Sequence, residues 1–137
     1  MTTTQQPIRI ALMGAGVFAR DAHLPSLLRH PDRFEIAAIY SRTQASAETL
    51  AAQIPYPVPI FTSIDALLEQ PEIEAVDILL PIVALPDAIT HALQSGKHLI
   101  SEKPIAADVA TGRQLVAHYA HHAKDANRIW MVGENWR

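Results

Sequence analysis

Apolar runs alternate with amphipathic stretches along the chain. Ile8 to Met13 is apolar at nearly every position, as expected for a parallel strand covered on both faces. Phe34 to Tyr40 (FEIAAIY) and Ala75 to Leu80 (AVDILL) read the same way. Ile54 to Pro59 holds Pro55, Pro57 and Pro59 and is excluded from helix. Ile60-Phe61, just after it, suits a short edge strand, where a neighbouring proline is tolerated. His98 to Ser101 and Ile129 to Val132 are two further short strands.

Between the strands the period changes. Leu85, Ala88, Ile89, Ala92 and Leu93 recur at i, i+3, i+4, i+7 and i+8, which predicts an amphipathic helix. Pro86 sits near its first turn and Gly96 just past its end. Thr43 to Gln53 reads as a helix. Thr62-Ser63-Ile64-Asp65 fits a T-x-x-D cap ahead of a short helix, Ile64 to Gln70. Asp108 can cap a long helix from Val109 to about Asp125. Met1 to Pro7 is a polar tail. Strands alternating with helices mean α/β architecture with a parallel sheet and right-handed crossovers. Six strands fit the doubly wound order 3-2-1-4-5-6 of a Rossmann fold in one domain, residues 1–137.

The first crossover carries the candidate chemistry. Gly14-Ala15-Gly16-Val17-Phe18-Ala19 is G-x-G-x-x-A, directly after a strand and opening a helix. Gly14 allows the tight turn, Gly16 lets a pyrophosphate approach the backbone, and Ala19 lets helix and strand pack closely. The helix N-terminus, at Val17 and Phe18, offers unpaired N–H groups to phosphate. The helix must accommodate Pro25, so an interruption is expected near His23 to Pro25, with helix resuming to His30.

Composition narrows the partners. A net charge of −3 and a pI near 6.1 give no basic stripe, so nucleic acid is not an expected partner. There is no cysteine, which excludes disulfides and zinc thiolates and suits a reducing, cytoplasmic setting. No apolar run reaches the roughly 18 residues of a membrane span, and no secretory leader pattern is visible.

The second strand ends Tyr40-Ser41-Arg42-Thr43. In this fold an acid near that place would bind the ribose 2′-hydroxyl of NAD, and an arginine the 2′-phosphate of NADP. Glu35 lies at the wrong end of the strand and Glu48 inside the next helix. Ser41 and Thr43 offer hydroxyls, and Arg42 a fork that matches phosphate. NADP(H) is therefore favoured, with NAD(H) left open.

Three further stretches carry a family resemblance. They are Leu79-Leu80-Pro81, Ala92 to Pro104 (ALQSGKHLISEKP) and Val132 to Arg137 (VGENWR). With the glycine motif and Tyr40-Ser41-Arg42, the chain resembles the N-terminal half of the glucose–fructose oxidoreductase/inositol dehydrogenase (Gfo/Idh/MocA) family from about Ile8 to Arg137. The resemblance implies hydride transfer between a nicotinamide cofactor and a sugar, polyol or related carbonyl compound. It also implies a second α/β domain that carries much of the substrate site and often an oligomer interface. Leu80 and Pro81 would pass the cofactor. Lys103 would sit near the nicotinamide and the reacting oxygen, where an ammonium can stabilise an alkoxide or relay its proton. Glu102 would pair with Lys103 or meet the nicotinamide ribose. Pro104 stiffens that loop and is a candidate for a cis peptide bond. Asn135 matches a family position near the active-site mouth. Many members carry a histidine where this chain has Ala84 to Pro86, and no histidine role is carried across. The expectation is a cofactor half without a substrate half, which binds dinucleotide but turns over poorly by itself. A non-catalytic dinucleotide-sensing or interaction module is the alternative; retention of Lys103 argues against it.

The remaining clusters are bland. His118, His121 and His122 have metal-like spacing, but on a helical wheel they lie opposite Val109, Val116, Ala120 and Ala123, so they read as a solvent face and no metal site is expected. His23 lies about one turn past the glycines and could approach the cofactor region, or serve as a surface or capping residue. Trp130 and Trp136 read as core or domain-interface aromatics.

Overall fold

The computed structural model describes residues 6–123 and 126–134. Asn135, Trp136, residues 1–5 and the expected end of the last helix lie outside the described residues. The strands are β1 Ile8–Met13, β2 Phe34–Tyr40, β3 Ile60–Phe61, β4 Ala75–Ile78, β5 His98–Glu102 and β6 Trp130–Gly133. All five pairings are parallel, and the order is β3-β2-β1-β4-β5-β6. This is the expected doubly wound sheet.

The helices divide between its two faces. A π-helical turn, Ala19–His23, runs into α1, Leu24–Leu28; together with α2, Gln44–Ala51, they cover one face. There Ile10 and Leu12 meet Leu24, Leu27, Ala47 and Leu50. Helices α3 (Ile64–Leu68), α4 (Leu85–Gln94) and α5 (Val109–His122) cover the other, where Met13, Val76 and Ile78 meet Leu67, Ile89 and Leu115. Successive strand residues point to opposite faces, so the inner strands β1, β2 and β4 are apolar along most of their length to fill both cores.

Four local expectations change. The helix after the glycines is widened rather than interrupted: the Leu24 N–H reaches five residues back to the Ala19 carbonyl. Pro25 has no N–H, and its ring would crowd the carbonyl four residues back in a regular helix. A π turn absorbs that conflict and re-aims the side chains on it. The cap of α3 is Ser63, whose hydroxyl accepts from Ala66 N, rather than Thr62, because the helix begins at Ile64. Strand β4 stops at Ile78, two residues short of Leu80, where the chain turns along the glycine loop. On α5 the buried stripe is Leu115 and Ala123, with Tyr119 beside it, while Val109 and Val116 are 71% and 54% exposed. His118 is half-buried and its ring lies 4.5 Å from that of His122. The i, i+4, i+8 row through Leu115 outweighs the valines because it is the row that faces α4 and the core beneath it. Asp108 caps α5 as expected, accepting from Thr111 N at 2.8 Å.

Two residues of the motifs are structural. Lys97 is buried and donates to the carbonyls of Gln70 (2.7 Å) and Ile73 (2.8 Å), which ties the turn after α4 to the approach to β4. Burial pushes its ammonium below the ordinary lysine range. Gly14 has φ +130°, and a Cβ there would lie 2.4 Å from the Leu79 carbonyl oxygen.

Gly14→Ala is therefore expected to cost about 2–4 kcal/mol, from positive φ plus overpacking, read as a lower urea midpoint at unchanged m. Lys97→Met leaves two carbonyls without a donor and is expected to cost about 1–3 kcal/mol in the same assay.

Candidate functional site

A cavity of about 530 Å³ opens along the carboxyl ends of the central strands. It straddles the reversal of strand order between β1 and β4, where open α/β sheets bind ligands. Four loops build it. The loop after β1 supplies Gly14, Gly16, Val17 and Phe18. The loop after β2 supplies Ser41 and Arg42; the stretch after β4 supplies Leu80 and Pro81; the end of β5 supplies Glu102 and Lys103. Ala15, Ser46 and Leu79 also line it; Ala15 and Leu79 stand in the sequence motifs without a site role of their own, and Ser46 lies outside them. Thr43 is not on the wall: its hydroxyl caps α2, accepting from Ser46 N and donating to Ser46 Oγ at 2.8 Å. The Lys103–Pro104 peptide is cis.

The walls suit a dinucleotide. A Cβ at Gly16 would meet nothing within 4 Å, so the backbone there faces open space. The Arg20 N–H closes the first helical turn onto the Gly16 carbonyl, leaving the N–H groups before it for a ligand. Val17 and Phe18 are 63% and 60% exposed at the mouth, an apolar surface available for a ring to lie against. Among the described residues neither Arg42 nor Lys103 is in an ion pair with a carboxylate. Both cations are therefore free to meet an anionic ligand.

Beside the cavity lies a cluster that the sequence reading did not assemble. His23 Nδ1 is 2.7 Å from Asp77 Oδ2, and its Nε2 is 2.9 Å from Glu102 Oε1. Glu102 thus pairs with His23 rather than with the Lys103 ammonium; its other oxygen accepts the Lys103 backbone N–H at 3.3 Å. The His23 side chain makes no cap hydrogen bond and is no plain surface residue: its ring sits between the inner strands β4 and β5, bonded to Asp77 and Glu102. Asp77 is 2% exposed, and its Oδ1 has no hydrogen-bond partner. The signal in the sequence was a carboxylate inside the apolar run AVDILL. The Asp77 hydrogen bond, offset by burial and aided by Glu102, holds the His23 imidazolium above its ordinary range. Burial pushes the Asp77 carboxyl up as well, so both shifts favour a proton within the pair. Among the described residues no group of three or more His, Cys, Asp or Glu is arranged to hold a metal, and no helix is long and apolar enough to cross a membrane.

This fold and this cavity define a dinucleotide-binding α/β domain. A sequence profile of the Gfo/Idh/MocA oxidoreductase family, which has an NAD-binding Rossmann fold, matches residues 8–133. The chain belongs to that family. It is 40% identical over 138 residues to dehydrogenase FPY6 of Fusarium mangiferae, covering 95% of this chain and 39% of that protein. An oxidoreductase of Thermotoga maritima superposes with a TM-score of 0.85 at 36% identity, over 92% of this chain and 37% of the other. KijD10, a 3-ketoreductase of Actinomadura kijaniata solved with NADP and TDP-benzene, superposes at 0.81 and 30% identity, over 93% and 37%. The chain thus spans less than two fifths of the length of these relatives.

The raised His23 sets a direction for stability. Its proton stabilises the fold fully below the unfolded imidazole pKa of about 6.5, and that contribution is lost as pH rises through the higher folded value. Urea midpoints are expected to fall over this range in the wild-type chain and to fall less in His23→Gln.

Proposed function

We propose that the chain is the NADP(H)-binding half of an oxidoreductase that acts on a sugar, polyol or related carbonyl compound. The observation that carries this is the cavity at the strand-order reversal, whose wall holds the open Gly16 backbone, Arg42 and Lys103. The backbone around Gly14 and Gly16 would hold the pyrophosphate. Ser41 and Arg42 would meet the 2′-phosphate, with Thr43 supporting them by fixing the start of α2. Val17 and Phe18 would flank the cofactor, and Leu80 and Pro81 would run along it. The oxidoreductase family and the NADP-bound 3-ketoreductase among its relatives support this reading.

When bound, the nicotinamide supplies the hydride acceptor or donor. The chain's own part is positional and electrostatic. The Lys103 ammonium would lie beside the reacting oxygen, where it stabilises a developing alkoxide or passes on its proton. Glu102 would face the nicotinamide end of the pocket. A second domain, carrying the remaining substrate contacts and any oligomer interface, would complete the site. Because catalysis needs groups placed around the transition state, the 137-residue chain alone would turn over poorly.

A fluorescence titration with NADPH and NADH tests the cofactor half. NADPH is expected to bind more tightly than NADH. Arg42→Ala is expected to lose about 10- to 100-fold in NADPH affinity, the worth of charge-assisted hydrogen bonds, and little in NADH affinity. Equal loss for both cofactors would reject the 2′-phosphate role. Gly16→Val is expected to weaken both cofactors while its unfolding free energy in urea stays within about 0.5 kcal/mol of wild type, since the space it fills is empty.

A further inference from the structure

We propose that His23 is a positioning residue for Glu102: anchored on Asp77, its ring clamps the Glu102 carboxylate at the cavity wall and makes cofactor affinity depend on pH. The inference rests on the cofactor pocket proposed above.

The proton count carries it. Both ring nitrogens of His23 face carboxylate oxygens at hydrogen-bond distance, 2.7 Å and 2.9 Å. A neutral imidazole has one N–H, so it can donate to only one of them and would turn a lone pair on the other. Two hydrogen bonds need one more proton, on the ring or on a carboxyl. With it the cluster carries a charge of −1; without it, −2. Asp77 lies on buried β4 with its second oxygen unpartnered, so the ring is what keeps it company there. The arm to Glu102 is the one that meets the cavity.

Other charges do not take over the role. Asp77 from β4 and Glu102 from β5 are the groups that act on His23. On its own turn Arg20 and Asp21 pair with each other at 2.6 Å. On β1 and β2, Arg9 and Glu35 pair at the opposite, amino end of the sheet. Lys103 follows Glu102 but meets it through the backbone N–H.

The consequence follows from which arm is free. When the extra proton leaves, the remaining N–H stays with the buried Asp77, whose charge has no other relief. Nε2 then offers a lone pair to Glu102, and the carboxylate is released into the pocket. A freer negative charge there repels a phosphate-bearing cofactor and loosens the loop that carries Lys103. Affinity should therefore fall as the cluster deprotonates.

Two measurements test this. The first follows the ¹⁵N shifts of the histidine ring nitrogens from pH 5 to 10, with His23 assigned by its loss in His23→Gln. Both His23 nitrogens are expected to stay protonated well past the ordinary imidazole range, and Asp77→Asn should return the ring toward ordinary titration. An ordinary wild-type transition near 6.5 would overturn the clamp. The second titrates NADPH between pH 7 and 9.5, above the titration of its 2′-phosphate near pH 6. Wild type is expected to lose about tenfold in affinity across that range, the order of one hydrogen bond to a charged group, while His23→Gln binds with a profile flat to within about twofold. Identical profiles for the two proteins would overturn the inference and leave the pocket standing. No binding of NADPH or NADH by the wild-type chain at any pH would overturn the cofactor reading and this inference with it.

Discussion

The close approach of Gly14 to the Leu79 carbonyl is the constraint on which the site depends. Here β1 hands the chain to the first crossover, and β4, its neighbour on the other side, ends and turns away. The two backbones come so near that a methyl group between them would overlap the carbonyl. The strand order reverses at this point, which leaves the cleft between the two halves of the sheet. Helices then cover opposite faces on either side of it, and four loops converge on one mouth. A glycine at one position thus determines where a ligand can reach the backbone.

The second organising feature is how buried charge is handled. Lys97 satisfies its ammonium on two carbonyls and fixes a turn on the face of α3 and α4. Asp77 is buried on the opposite face and is satisfied by a single histidine. Burying a charge is costly unless it is paired and hydrogen-bonded, and these two sites meet the cost in different ways. Lys97 has no route to the cavity and acts as a brace. Asp77 reaches the cavity through His23 and Glu102, so a residue of the core is connected to the functional surface. The π turn is what makes that connection: Pro25 forces the helix to widen, and the widened turn points His23 inward.

Family membership also gives the exposed loops a context. Arg42 and Lys103 stand on the cavity wall without carboxylate partners among the described residues. Cations left free in this way are costly neighbours to each other and useful ones to an anionic ligand. Away from the cavity, Arg9 and Arg20 are paired with carboxylates, whereas Arg29 meets only the Ser26 hydroxyl and Arg128 the His98 ring. What sets Arg42 and Lys103 apart is that both line the cavity at the carboxyl ends of the strands.

Most of the fold was legible in the sequence. Strands covered on both faces are apolar along most of their length, so β1 and β2 could be read to the residue; the edge strand β3 was legible from the proline run that it follows, and the alternation with helices implied the strand order. The glycine spacing and Ser41-Arg42 were legible because backbone geometry demands particular residues at fixed offsets. The stripe on α5 was misread, because Val109 and Val116 are as apolar as Leu115, and only the position of α4 decides which row is covered. The pairing of His23 with Asp77 and Glu102 spans 54 and 79 residues of sequence and has no local period to betray it. The sequence by itself determined the architecture and the place of the cavity, through patterning and turn chemistry. Only the tertiary structure decided which charges meet, because that depends on the side-chain directions set by a single widened helical turn.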